Sequence, residues 1–263
     1  MTQHEIPLDA SYLSASPQVE ASTPARIGVG RAGLRPLTKT WLKFRFDHAA
    51  AVDAVYGEVT KSLLDKMGWR VLKTQALDHE TYIRRPDLGR KLTAESRLLL
   101  KENGKQQATV QILVSNGLSA LSIEENAEDV YLSLCQSLEN AGIEVGETFY
   151  IERGRVGLMD DVGELLQSEV IVYLIGERPG LVSADSMSVY MCYRPTLQTI
   201  ESDRLVVSNI HTNGMPQIEA GAYIATLVQK MLYYKASGVQ LAERELEETS
   251  VKAENNSLSF TVF

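Results

Sequence analysis

A chain of 263 residues, 44% hydrophobic and 23% charged, has the apolar material for one large folded unit or two modest ones. Its formal charge of -8, with lysine and arginine gathered mainly between Arg26 and Arg97, disfavours a nucleic-acid partner for the molecule as a whole. Cys135 and Cys192 lack a second cysteine or a histidine at ligand spacing, and no apolar run reaches the roughly 18–20 residues of a spanning helix. With no basic-then-apolar secretory layout at the start, these features exclude a disulfide framework, a zinc site and a membrane anchor, and point to the cytosol.

Residues 1–25 hold three prolines and several serines without a sustained period, so little apolar area offsets the entropy of ordering them, and a flexible arm is expected. Leu37, Trp41, Phe44 and His48 then recur at helical spacing, which places His48 on an apolar stripe as a core histidine. A second helix is expected from Ala50 to Lys66, closed by Gly68, followed by a short strand at Trp69–Lys73. RRPDLGRKLTAESRLLLKENG reads as a turn and a helix that closes at Gly104, making residues 26–105 a mainly helical N-terminal domain.

Beyond Lys105 short apolar runs alternate with helical stretches, the grammar of an α/β domain with a mostly parallel sheet of about five strands. The strands are expected at Thr109–Val114, Glu147–Glu152, Val170–Ile175, Ser188–Tyr193 and Arg204–Ile210. Between them, Val130, Leu134, Leu138 and Ala141 form a helical stripe behind Glu124, Glu125, Glu128 and Asp129, which sit near the positive end of the helix dipole. A shorter helix spans Asp160–Gln167. A last helix opens at Pro216, buries Ala220, Ile224, Leu227, Val228 and Met231, and ends at Gly238 in the left-handed manner. Residues 240–263 form a charged tail, in part helical.

Ligands of open parallel sheets sit outside the carboxyl ends of the strands, near the point where strand order reverses. Here those ends read SNGLS (115–119), ERGRVG (152–157), GERPGL (176–181) and SNIHTNG (208–214), each adding glycine and polar groups to an apolar run. Four such ends on one rim make the lip of a binding crevice, and Glu177 then faces a ligand rather than the core. Other constellations carry less. GVGRAG (28–33) looks like a phosphate loop but follows no buried strand, so a basic loop in which Arg31 and Arg35 dock on a partner is the better reading. Ser115, Ser119 and His211 lack a nucleophile elbow and an orienting carboxylate, which argues against a hydrolase. Asn209-Ile-His211-Thr-Asn-Gly214 differs by one residue from the D-x-H-x-x-G motif of cobalt-ligating histidines. The amide at its head favours a loop-shaping role for His211.

GRAGLRP (30–36), RRPDLGRKL (84–92), SNGLSA (115–120), GRVGLMDDVGELL (154–166), GERPGL (176–181), SDRLVVSNIH (202–211) and KASGV (235–239) together resemble the small subunit of ethanolamine ammonia-lyase, in unbroken order from Arg26 to Val239. The resemblance implies a Rossmann-like domain over residues 106–239 that supplies one wall of an adenosylcobalamin site, at the interface with a large catalytic subunit. The assembled enzyme would convert ethanolamine to acetaldehyde and ammonia by a radical mechanism. It also implies that Val156, Glu177 and Val206 fall at cobalamin-contacting positions, that catalytic residues belong to the large subunit, and that no protein histidine ligates cobalt. Val206 replaces a cysteine of a familiar member. Family members are often packaged in a bacterial microcompartment through an N-terminal extension; in residues 1–25 only Ile6, Leu8, Tyr12 and Leu13 offer an apolar face. Two rival readings remain: an assembly subunit with no direct cofactor role, and a self-sufficient nucleotide-dependent enzyme using GVGRAG.

Overall fold

Residues 18, 22, 23 and 25–258 are described in this computed structural model, with side chains described as far as Thr249. The arm expected over residues 1–25 lies almost wholly outside them, as does the end of the tail. A two-stranded ribbon of β1 (Arg31–Ala32) and β2 (Arg35–Pro36) leads into α1 (Thr38–Tyr56) and α2 (Lys61–Met67). Then come β3 (Arg70–Lys73), α3 (His79–Arg84), a 3-10 turn at Leu88–Arg90 and α4 (Ala94–Asn103). The sheet region continues with β4 (Val110–Ser115), α5 (Ala120–Asn140), β5 (Phe149–Glu152), α6 (Leu158–Leu166), β6 (Val170–Gly176), β7 (Met187–Tyr193) and β8 (Leu205–Ile210). Two helices follow, α7 (Gln217–Tyr234) and α8 (Gly238–Leu258).

The runs of β4 and β6 are buried at every position, as strands covered on both faces must be. They pair in parallel at the centre of a six-stranded sheet of order β3-β5-β4-β6-β7-β8. Ile112, Val114, Val172 and Leu174 face α5 and α7, whose stripes Val130, Leu134, Leu138 and Ile224, Val228, Met231 complete that layer. Leu113, Ile171, Tyr173 and Ile175 pack on the opposite face with Leu100 of α4 and Leu158, Val162 and Leu166 of α6. Helices on both faces of a mainly parallel sheet are the α/β class expected from the sequence. The short strand near Trp69 also forms. As β3 it pairs with β5, so Leu72 and Leu92 share a core with Phe149.

Several local features differ from expectation, each for a physical reason. β7 runs antiparallel to β6 and β8, because the loops on either side carry no crossover helix and a chain that turns back tightly must return antiparallel. α1 continues past Ala50 to Tyr56 and breaks at Gly57. The next helix starts only where the Thr60 hydroxyl accepts a hydrogen bond from the Leu63 amide. α5 begins earlier than its acidic stretch, since Ser119 caps it through the Ser122 amide; Ala141, counted on its stripe, is exposed. His48 is exposed, not buried: α1 buries only Ala54 and leaves Trp41 and Phe46 49% and 71% exposed. Lys235, not Gly238, takes the left-handed cap of α7. Gly238 instead opens α8, where a Cβ would stand 2.0 Å from the Ser202 carbonyl oxygen.

The two long helices of one layer meet at Gly221, where a Cβ would lie 2.6 Å from the Val130 carbonyl oxygen and 2.9 Å from the Leu134 amide nitrogen. Both neighbours are backbone, so relief requires α7 to move away from α5. Gly221→Ala is expected to destabilise the chain by about 1–3 kcal/mol despite alanine's better helix propensity, read as a lower urea midpoint at unchanged slope.

Candidate functional site

β4, β5, β6 and β8 point the same way, so SNGLS, ERGRVG, GERPGL and SNIHTNG leave the sheet on one rim. Hydrogen bonds bind these turns together. Ser115 Oγ, at the end of β4, accepts from the Gly117 amide at 3.2 Å and the Gly154 amide at 3.0 Å, and Asn116 Oδ1 accepts from the Arg153 amide at 2.8 Å. The Leu118 amide donates to the Gly176 carbonyl at 3.1 Å, and the Asn209 amide to Glu177 Oε1 at 3.0 Å. The close approach needs glycines: a Cβ on Gly154 would stand 2.0 Å from Tyr173 Oη, and one on Gly176 2.3 Å from the carbonyl oxygens of Asn116 and Ser119.

Between the turns opens a crevice of about 410 Å3, whose lining includes Tyr82, Leu118, Arg155, Val156, Glu177 and Ser208. Val156 and Glu177 therefore share one hollow. Val206 lies beside it: the residue is 46% exposed, and its cross-strand partner Tyr190, whose side chain shares its face, lines the crevice. A larger hollow of about 520 Å3, near Gln107, Ser168 and Arg194, lies at the opposite ends of the strands, away from the four turns.

Glu177 is held rather than free. Its amide donates to the Ser186 carbonyl, and Oε1 accepts from both the Ser188 hydroxyl and the Asn209 amide, while Oε2 accepts no hydrogen bond from the described residues. Asn209 can offer its amide because it adopts φ +61°, a left-handed conformation that asparagine tolerates better than most residues. His211 keeps it there. The buried imidazole accepts at Nδ1 from the Asn213 amide, which leaves the proton on Nε2 to donate to Asn209 Oδ1 at 2.9 Å. Both ring nitrogens are thus spent on shaping the loop, the role read from the sequence. The hydroxyls of Ser115 and Ser119 are likewise structural; Ser119 caps α5 and donates to the Ala184 carbonyl. Among the described residues no group of three or more His, Cys, Asp or Glu is placed to hold a metal ion.

The opposite wall escaped sequence reasoning. Arg155 lies with its guanidinium carbon 4.0 Å from the Tyr82 ring centroid and donates from Nη2 to the Tyr82 carbonyl at 2.8 Å. Tyr82 in turn donates its hydroxyl to the Gly154 carbonyl at 2.8 Å, and burial pushes its pKa up to about 12, keeping it a neutral donor. Gly89, inside RRPDLGRKL, accepts the Arg155 amide and leaves room for its side chain; a Cβ there would be 2.8 Å from Arg155 Cγ. The glycines of GVGRAG build the exposed β1–β2 ribbon instead of a loop after a buried strand, with Gly30 and Gly33 at φ +76° and +64°.

Asn116→Ala would strip the acceptor from the Arg153 amide inside a buried rim. It should cost about 1–3 kcal/mol, measured by urea unfolding, and loosen the turn that carries Arg155 and Val156.

A family model described as ethanolamine ammonia-lyase light chain (EutC) matches residues 14–242. The ethanolamine ammonia-lyase small subunit of Clostridium tetani is 48% identical over 224 residues, 85% of this chain and 76% of that protein. That of Fusobacterium nucleatum is 49% identical over 219 residues, 83% and 74% of the two chains, and that of Clostridium acetobutylicum 44% identical over 85% and 93%.

Proposed function

The chain belongs to the ethanolamine ammonia-lyase small-subunit family, and from that membership we propose that its rim crevice is one wall of an adenosylcobalamin site completed by a large catalytic subunit. The observation that carries this reading is that Val156 and Glu177 line one crevice built from four strand ends, with Val206 beside it across from Tyr190. The residues fit the group. A corrin ring carries a fringe of amide donors, and Glu177 meets it with one oxygen fixed by Ser188 and Asn209 and the other, Oε2, free to accept. Val206 and Leu118 offer apolar contact. At about 410 Å3 the hollow lies toward the small end of ligand sites, roughly 300–1,000 Å3, and a corrinoid exceeds what it holds. Only an edge can be seated here, so a second polypeptide must cover the rest.

When bound, adenosylcobalamin supplies the radical chemistry that turns ethanolamine into acetaldehyde and ammonia; the protein supplies binding, orientation and exclusion of water. In this division Glu177 anchors the ring edge, Val156 and Val206 shield it from solvent, and residues that handle the substrate belong to the large subunit. The β1–β2 ribbon and α1 suit the assembly face: residues 26–56 carry six arginines and lysines against two aspartates, and Leu34, Leu37, Trp41, Leu42 and Phe46 are exposed there. We assign to this face an apolar, carboxylate-rimmed patch of the large subunit. The two unpaired cysteines support a cytoplasmic location for the chain.

Mixed with the large subunit and adenosylcobalamin, the chain should restore ammonia release from ethanolamine, whereas alone it should show none; turnover by the isolated chain would reject the division of labour. Glu177→Ala should weaken corrinoid binding by the reassembled enzyme about 10- to 100-fold, the size of a lost charge-assisted hydrogen bond, and an unchanged titration would remove Glu177 from the site. Phe46→Glu should abolish co-purification with the large subunit while leaving the melting temperature of the isolated chain within a few degrees, since the side chain is 71% exposed.

A further inference from the structure

Arg155 is an arginine held in place on the crevice wall without an internal counter-charge among the described residues. Its Nη2 is engaged by a backbone carbonyl, its plane rests on Tyr82, and its stem is confined against Gly89. Yet no carboxylate among the described residues lies within 4.0 Å of its nitrogens, although Arg153, two residues earlier, pairs with both Glu58 and Glu152. Nε is buried and has no hydrogen-bond partner among the described residues. A guanidinium held in one orientation, with no internal counter-charge, is pre-organised for an anion. Arg178, exposed on the same lining and also without an ion pair among the described residues, gives that part of the crevice two positive groups.

Glu177, on the same lining, is unsuited to an anion and suited to amide donors. The crevice therefore presents two unlike demands: neutral donors where Glu177 sits and an oxyanion where Arg155 sits. A cobalamin meets both within one molecule, since its ring is edged with carboxamides and its nucleotide tail carries a phosphodiester. We propose that Arg155, stacked on Tyr82 and seconded by Arg178, binds the phosphodiester of the cobalamin nucleotide tail, so that this chain reads the tail as well as the ring. The assignment rests on the crevice being a corrinoid site. Tyr82 and Gly89 are positioning residues: the ring fixes the guanidinium plane, and the missing Cβ leaves space for its stem. Planar, bidentate recognition of a phosphate is what arginine does and lysine does not.

The test compares two corrinoids on the complex of this chain with its large subunit: cyanocobalamin, which has the nucleotide tail, and dicyanocobinamide, which lacks it. Equilibrium dialysis reads binding without turnover. Arg155→Met should weaken cyanocobalamin by about tenfold or more and leave dicyanocobinamide unchanged, whereas Glu177→Ala should weaken both. If Arg155→Met fails to assemble, Arg155→Lys, which keeps the charge and the stem, decides the matter: it should lose at least threefold for cyanocobalamin alone. Equal loss for both corrinoids, or loss for neither, in whichever variant assembles overturns the phosphodiester assignment. A wild-type complex that binds neither corrinoid overturns instead the reading of the crevice on which it rests.

Discussion

The rim of this protein depends on what happens where β4 ends. Ser115 and Asn116 turn away from the strand with side chains that accept three backbone amides, two of them from the turn after β5. Each amide belongs to a turn that has left its ladder, those of Gly117 and Gly154 buried and that of Arg153 partly so, where an unmet donor costs about 1–3 kcal/mol. The two side chains meet that cost and in doing so set the distance between neighbouring strand ends. Without them the crevice would have walls but no fixed width. The glycines at 154 and 176 follow from the same closeness, for at each a single added carbon would collide with an oxygen.

Much of this was legible beforehand, and the reasons are specific. β4 and β6 announce themselves because a strand covered on both faces has no room for polar positions, and the α7 stripe because the 3.6-residue period leaves few alternatives. The four polar strand ends could be grouped on one rim since parallel strands share a direction; β8 joins them through two reversals rather than a crossover. What stayed hidden depended on facts that periodicity does not contain. An apolar run states that it is buried and not which way it points, so the antiparallel course of β7 within a mostly parallel sheet is visible only in the structure. A helical stripe reports that one face is apolar and not what lies against it, and the stripe that carries His48 faces no core. A glycine after a helix reads as a cap, yet Gly238 is required by the Ser202 carbonyl on another loop. The stack of Arg155 on Tyr82 joins residues 73 positions apart, so ERGRVG by itself does not announce its partner.

The two sides of the crevice are made by different means. On one side, position comes from a relay along adjacent strand ends, in which His211 holds Asn209 and Asn209 holds Glu177. On the other, it comes from packing across the chain, with Tyr82 and Gly89 delivered by the segment between β3 and β4 and Arg155 by the turn after β5. Residues 70–92 therefore belong to the site as much as to the scaffold. β3 matters for the same reason, since its pairing with β5 ties that region to the sheet.

β8 is an edge strand of the sheet, with Val206 and Ser208 exposed beside the hollow and, among the described residues, no strand beyond it. A strand in that position carries unpaired backbone groups along its outer side and is a template for pairing with any passing chain. Any cover laid over the hollow from that side also lies against the open margin of the sheet. Protection of the chain from self-association and completion of its pocket are thereby served by the same surface, so a change at Val206 bears on solubility as well as on ligand.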